Sequence, residues 1–122
     1  DDPIERIEVG IRATMEWMAE NRHLQSLIQF AASEERFAPS LRRGTGVAVA
    51  DVVRHVKDGI VAGRIRDTDP EVLSHAVLGV TNHLARVYLF ERKESPAAVA
   101  EAAIAFCREG LLGEAALTAR SY

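Results

Sequence analysis

Three of the four prolines in this 122-residue chain directly follow a residue that caps helices well: Asp2-Pro3, Asp69-Pro70 and Ser95-Pro96. A side-chain oxygen at the cap accepts from an amide of the first turn, and proline at the first helical position lacks only an N–H that had no partner. Each pair therefore marks a helix start. No segment sustains the apolar–polar alternation that a half-buried strand needs. The chain reads as all-α, with about five to six helices.

In the first helix, 3–20, Ile4, Ile7, Ile11, Met15 and Met18 fall on one stripe, with Trp17 to its side. Glu5, Glu8, Arg12 and Glu16 form the wetted ridge. A second helix is expected over 21–33, with Leu24, Leu27, Ile28 and Ala31 on one face and Phe30 turned away. Residues 34–46 mix charge with Pro39, Gly44 and Gly46 and read as a loop or a short turn of helix. Over 47–62 the pattern sharpens, with Val49, Val52, Val53, Val56 and Ile60 on one stripe. Gly63 suits the left-handed residue that follows a helix end.

Composition narrows the function classes. With 48% hydrophobic and 27% charged residues, the chain has a core to bury and is neither disordered nor collagen-like. Its length fits one domain over 1–122. The net charge of −3 lacks the basic excess that a nucleic-acid reader sets against phosphate, so any DNA contact comes from elsewhere. A single cysteine, Cys107, closes no intrachain disulfide and favours a reducing, cytoplasmic location. No apolar run reaches the length of a membrane span, so no membrane partner is expected.

The last two helices, 70–91 and 96–112, each carry two apolar rows. On the first, Leu73, Ala76, Val77, Val80, Leu84, Val87 and Tyr88 form a broad stripe, and Leu78, Ala85 and Leu89 a thinner row. The second carries Val99, Ala103, Phe106 and Gly110 on one row and Ala100, Ile104, Cys107 and Leu111 on the next. One copy hides one face of each, and the small residues Gly79, Ala85, Ala100, Ala103 and Gly110 permit close helix approach. A homodimer through a four-helix bundle follows, built from this helical pair and its copy. Leu78, Ala85, Leu89, Ala100, Ile104, Cys107 and Leu111 are the expected interface residues.

The stretch DPEVLSHAVLGVTNHLARVYLFERKESPAAVAEAAIAFCREGLLG, from Asp69 to Gly113, resembles the final two helices of TetR-family transcriptional regulators. VVRHVKDGIVAGRIRDTDP, from Val52 to Pro70, is similar to that family's lead-in, a helix ending in Gly-x-hydrophobic-Arg before Asp-Pro. The opening DDPIERIEVGIRATMEWMAENRHL resembles the first helix after the family's DNA-binding part. Residues 34–46 match nothing specific. The resemblance implies an effector-sensing and dimerisation domain of a repressor, with DNA bound only through an N-terminal helix-turn-helix absent from this chain. A small apolar or amphipathic effector then changes the separation of two recognition helices, and no chemistry is required.

Candidate effector contacts are Trp17, Met18, Phe30, Phe37, Asn82, His83 and Tyr88, because an apolar cavity with a few polar groups orients an organic molecule. Asn82 and His83 stand out as polar residues in the middle of an apolar helix. Arg42-Arg43 is a weaker candidate for an anionic tail. The alternative is a structural dimerisation module whose aromatics are all packed and which holds no ligand. Asp51/His55 and Glu71/His75 pair a carboxylate with an imidazole four residues on, and Glu20-x-x-His23 adds a third pairing, but two ligands do not make a metal site. Neither a Gly-rich phosphate loop nor a Gly-x-Ser-x-Gly elbow occurs, so no enzyme activity, cofactor or metal is expected.

Overall fold

All three cap-and-proline pairs start helices. In the computed structural model, which describes residues 2–113, Asp2 accepts from the Ile4 amide at 3.0 Å. Asp69 accepts from the Glu71 amide at 2.9 Å and Ser95 from the Ala98 amide at 3.4 Å. These open helices α1 (Pro3–Glu20), α4 (Pro70–Leu84) and α5 (Pro96–Leu111). Helix α2 (His23–Ala32) and a single 3-10 turn (Glu35–Phe37) lead into α3 (Ala38–Val61). A π-helical run, Ala85–Glu91, continues α4. Of the single domain expected over 1–122, residues 1 and 114–122 lie outside the described residues.

Helix α1 sits between α5 on one side and α3 on the other. Its Ile4, Ile7, Ile11 and Met15 are buried against Val56 of α3, Val77 of α4 and the Ala100, Ala103, Ile104 row of α5. Thr81, Ala85 and Leu89, four residues apart, share one face across the start of the π-helical run, and all three are buried. Polar ties hold α1 on both flanks: Arg6 to Asp58 at 3.1 Å, Arg64 to Asp2 at 2.9 Å and Arg12 to Glu101 at 2.9 Å.

The link from α3 to α4 turns on two glycines. Gly63 adopts φ +75°, and its amide and that of Arg64 return to the carbonyls of Ile60 and Gly59 at 3.0 and 2.9 Å. Ile65 is thereby driven back onto Gly59, where a Cβ would lie 2.6 Å from Ile65 Cγ1. Ile65 also forms an isolated antiparallel bridge with Leu112, so the connector is stitched to the end of α5.

Three sequence expectations are corrected. Residues 38–46 are helical and belong to α3. Pro39 falls in its first turn, where it removes no hydrogen bond, and the stripe from Val49 onward anchors the helix despite Gly44 and Gly46. Glu8 is not on a wetted ridge: it is only 6% exposed, and Arg108 neutralises it. Thirdly, the row expected at the dimer interface faces inward, alongside Val77, Val99 and Ala103 of the other row. Ala85, Leu89, Ala100, Ile104, Cys107 and Leu111 are buried within a single copy, and Leu78 is half-buried. Small side chains at 85, 100 and 103 bring the π-helical run and α5 close to α1, so their compactness serves the monomer core.

Candidate functional site

An open cleft of about 520 Å³ lies beneath α2. Met18 comes from the end of α1, Gln25 and Ile28 from α2, Gly79, Asn82 and His83 from α4, and Arg86 and Phe90 from the π-helical run. Helix α2 buries none of its residues, so it covers the cleft without being part of the core. Two hydrogen bonds at its N-terminal hinge, from the Asn21 side chain and amide to the Trp17 carbonyl at 2.8 and 3.0 Å, fix where it leaves α1.

Inside the cleft, Arg86 Nη2 donates to His83 Nδ1 at 3.0 Å. A guanidinium has no acceptor, so the contact requires a lone pair on Nδ1; a neutral His83 then carries its proton on Nε2. Met18, Ile28 and Phe90 supply the apolar part of the lining.

A smaller cavity of about 160 Å³ lies between α1, α3 and α4, among Ile7, Ile11, Val52 and Val77. Thr14, Asp51, His55 and Thr81 add polar atoms. Thr81 is satisfied by its own helix, donating to the Val77 carbonyl at 2.8 Å, whereas buried His55 Nδ1 has no hydrogen-bond partner among the described residues. His55 Nε2 stands 4.0 Å from Asp51, and His75 Nε2 stands 3.9 Å from Glu71. Among the described residues, no three His, Cys, Asp or Glu side chains gather as a metal site would need.

Of the seven candidate effector residues, the structure brings Met18, Asn82 and His83 together in the large cleft. The other four go elsewhere. Trp17 is half exposed and lines neither cavity. Phe30 and Phe37 stack on each other as tilted rings 6.5 Å apart, leaving Phe30 half exposed. Tyr88 borders a separate depression with Leu84 and Val99, and the Arg92 guanidinium lies 4.8 Å above its ring. Gln25, Ile28, Gly79, Arg86 and Phe90 were not anticipated. Spacing held part of the signal: Gly79, Asn82 or His83, Arg86 and Phe90 recur every three or four residues, as one helix face does.

The uncovered apolar surface lies on part of the row expected to face inward. Leu73, Val80 and Leu84 of α4 remain half-buried beside Ala102 and Phe106 of α5, and Phe106 is 69% exposed. Two shallow depressions share Val80 and Phe106 and so form one continuous strip, and His83 lies on its edge as well as in the cleft. Cys107 is buried beside this strip, and burial pushes its thiol up from the ordinary range, opposite to what a nucleophile requires.

No described helix is long and apolar enough to cross a membrane. No curated protein and no solved structure matches the chain. A family model described as tetracyclin repressor-like, C-terminal domain, matches residues 1–111. With the order of helices and that match in agreement, the chain belongs to the tetracyclin repressor-like C-terminal domain family, whose members are parts of regulatory proteins.

Proposed function

We propose that this domain senses a small apolar or amphipathic molecule in the cleft beneath α2 and joins two copies of itself through the exposed strip on α4 and α5. The parent protein is then a cytoplasmic, DNA-binding repressor that releases its operator when the cleft fills. The observation that carries this reading is the double placement of His83, which lines the cleft and also borders the strip around Phe106. A ligand that moves α4 at His83 acts directly on the surface that sets how two copies meet. Because operator release is a linked equilibrium, the ligand binds the released arrangement more tightly, and DNA weakens ligand binding by the same factor.

The cleft volume of about 520 Å³ lies within the range of small-molecule sites and favours sensing over a purely structural dimerisation module. The strip meets the criterion for a partner surface, a contiguous apolar patch on adjacent helices. Native mass spectrometry of the purified chain tests both parts. The expected result is a dimer that carries a co-purified small molecule or takes one up from a metabolite library. An empty monomer at micromolar concentration overturns the proposal.

A further inference from the structure

We infer that the cleft beneath α2 selects an organic anion, a molecule with an apolar body and one carboxylate-like group, and that Arg86 is the residue that holds the charge. This deepens the effector reading above and rests on it. Its starting point is how the arginines are partnered. Arg6, Arg12, Arg54, Arg64 and Arg108 each reach a carboxylate, and of the arginines without one, Arg86 is the one that lines the cleft. Arg86 has no carboxylate within ion-pair distance among the described residues; its hydrogen-bond partner is the ring of His83. No acidic residue lines the cleft, so the positive charge of Arg86 is uncompensated there.

The remaining polar groups point to the same chemistry. His83 accepts from Arg86 through Nδ1, which leaves a neutral ring with an Nε2–H donor. Asn82 and Gln25 contribute amides that also donate. A guanidinium flanked by neutral donors complements a planar anion, and arginine's fork favours two parallel bonds to a carboxylate. The apolar body has its own surface: Met18, Ile28 and Phe90 line the same cleft, and Ile28 is 45% exposed. A carboxylate on an aromatic or alkyl body therefore satisfies both halves of the site, whereas an uncharged analogue satisfies one. The smaller cavity between α1, α3 and α4 differs, since a carboxylate, Asp51, is in its lining.

The test uses 4-phenylbutyrate and its neutral isostere 4-phenylbutanamide, titrated into the 122-residue chain and followed by the NMR signals of Met18 and Ile28. The expected result is a preference for the carboxylate of about tenfold or more. Arg86→Met abolishes that preference by weakening carboxylate binding more than amide binding, and Arg86→Lys keeps part of it. Arg86 is exposed, so neither variant disturbs the core, and circular dichroism checks this. Equal binding of the two probes, or a preference that survives Arg86→Met, overturns the anion assignment and leaves the cleft as a site for uncharged effectors. If neither probe shifts Met18 or Ile28, the cleft itself is lost as the effector site, and the inference with it.

Discussion

Arg108 holds both carboxylate oxygens of Glu8, from Nε at 2.6 Å and from Nη2 at 2.7 Å, across a separation of 100 residues in sequence. Glu8 is buried on α1 and Arg108 reaches it from the last turn of α5, half of its side chain in solvent. The pair joins the beginning of the described chain to its end. A buried carboxylate is tolerable only while its partner is present.

Removing that partner should therefore cost more than breaking a surface pair between the same helices. Arg108→Met is expected to lower stability by about 2–3 kcal/mol, because Glu8 is left buried and unpaired. Arg12→Met breaks the exposed Arg12–Glu101 pair and should cost less than about 1 kcal/mol. Adding Glu8→Gln to Arg108→Met should restore part of the loss. Urea unfolding of the four proteins measures this, and equal losses in the two single variants would refute it.

The glycines divide by environment. Gly59→Ala places a methyl against Ile65, itself buried, and should destabilise by about 1–3 kcal/mol despite alanine's better helix propensity. Gly44 faces open space inside α3, so Gly44→Ala should raise stability by up to about 1 kcal/mol. Thermal melts that moved both variants in the same direction would contradict the close approach at Gly59.

Helix punctuation was the legible part of the fold. Asp2, Asp69, Ser95 and Gly63 act through atoms within a few residues of themselves, so a local pattern suffices to place them. Residues 38–46 were misread because Gly44 and Gly46 are poor helix formers that the adjoining valine stripe overrides. Glu8 reads as a wetted position because its partner stands on a helix that periodicity alone does not bring near. The cleft was half legible: Asn82 and His83 stand out as polar residues in an apolar helix, whereas nothing in the local pattern marks Arg86. Which of two apolar rows faces inward depends on the neighbours available, and the wider turn at Ala85–Glu91 has no sequence signature of its own.

That reversal has a direct test. If the strip containing Phe106 joins two copies, Phe106→Glu should convert a dimer into a monomer with unchanged helix content, since the side chain is mostly exposed in one copy. Leu89→Ala should behave differently: it opens a cavity in the core and costs about 2–5 kcal/mol. Sedimentation velocity together with circular dichroism separates the two. A Phe106→Glu protein that remains dimeric would show that another surface carries the association.

Cys107 predicts a pH dependence with a definite sign. Burial raises its thiol above the unfolded value, so the folded chain keeps this proton to higher pH than the unfolded chain does. The stability contributed by the neutral thiol is complete below the ordinary value of about 8.5 and is lost as pH rises through the folded one. Wild-type protein should therefore lose stability more steeply than Cys107→Ala above about pH 8.5, where only the thiol distinguishes their titration. The same burial should make alkylation by iodoacetamide slow in the folded protein and fast in urea. Parallel stability curves for the two proteins, or equal alkylation rates in the two states, would show that the thiol is accessible to water after all.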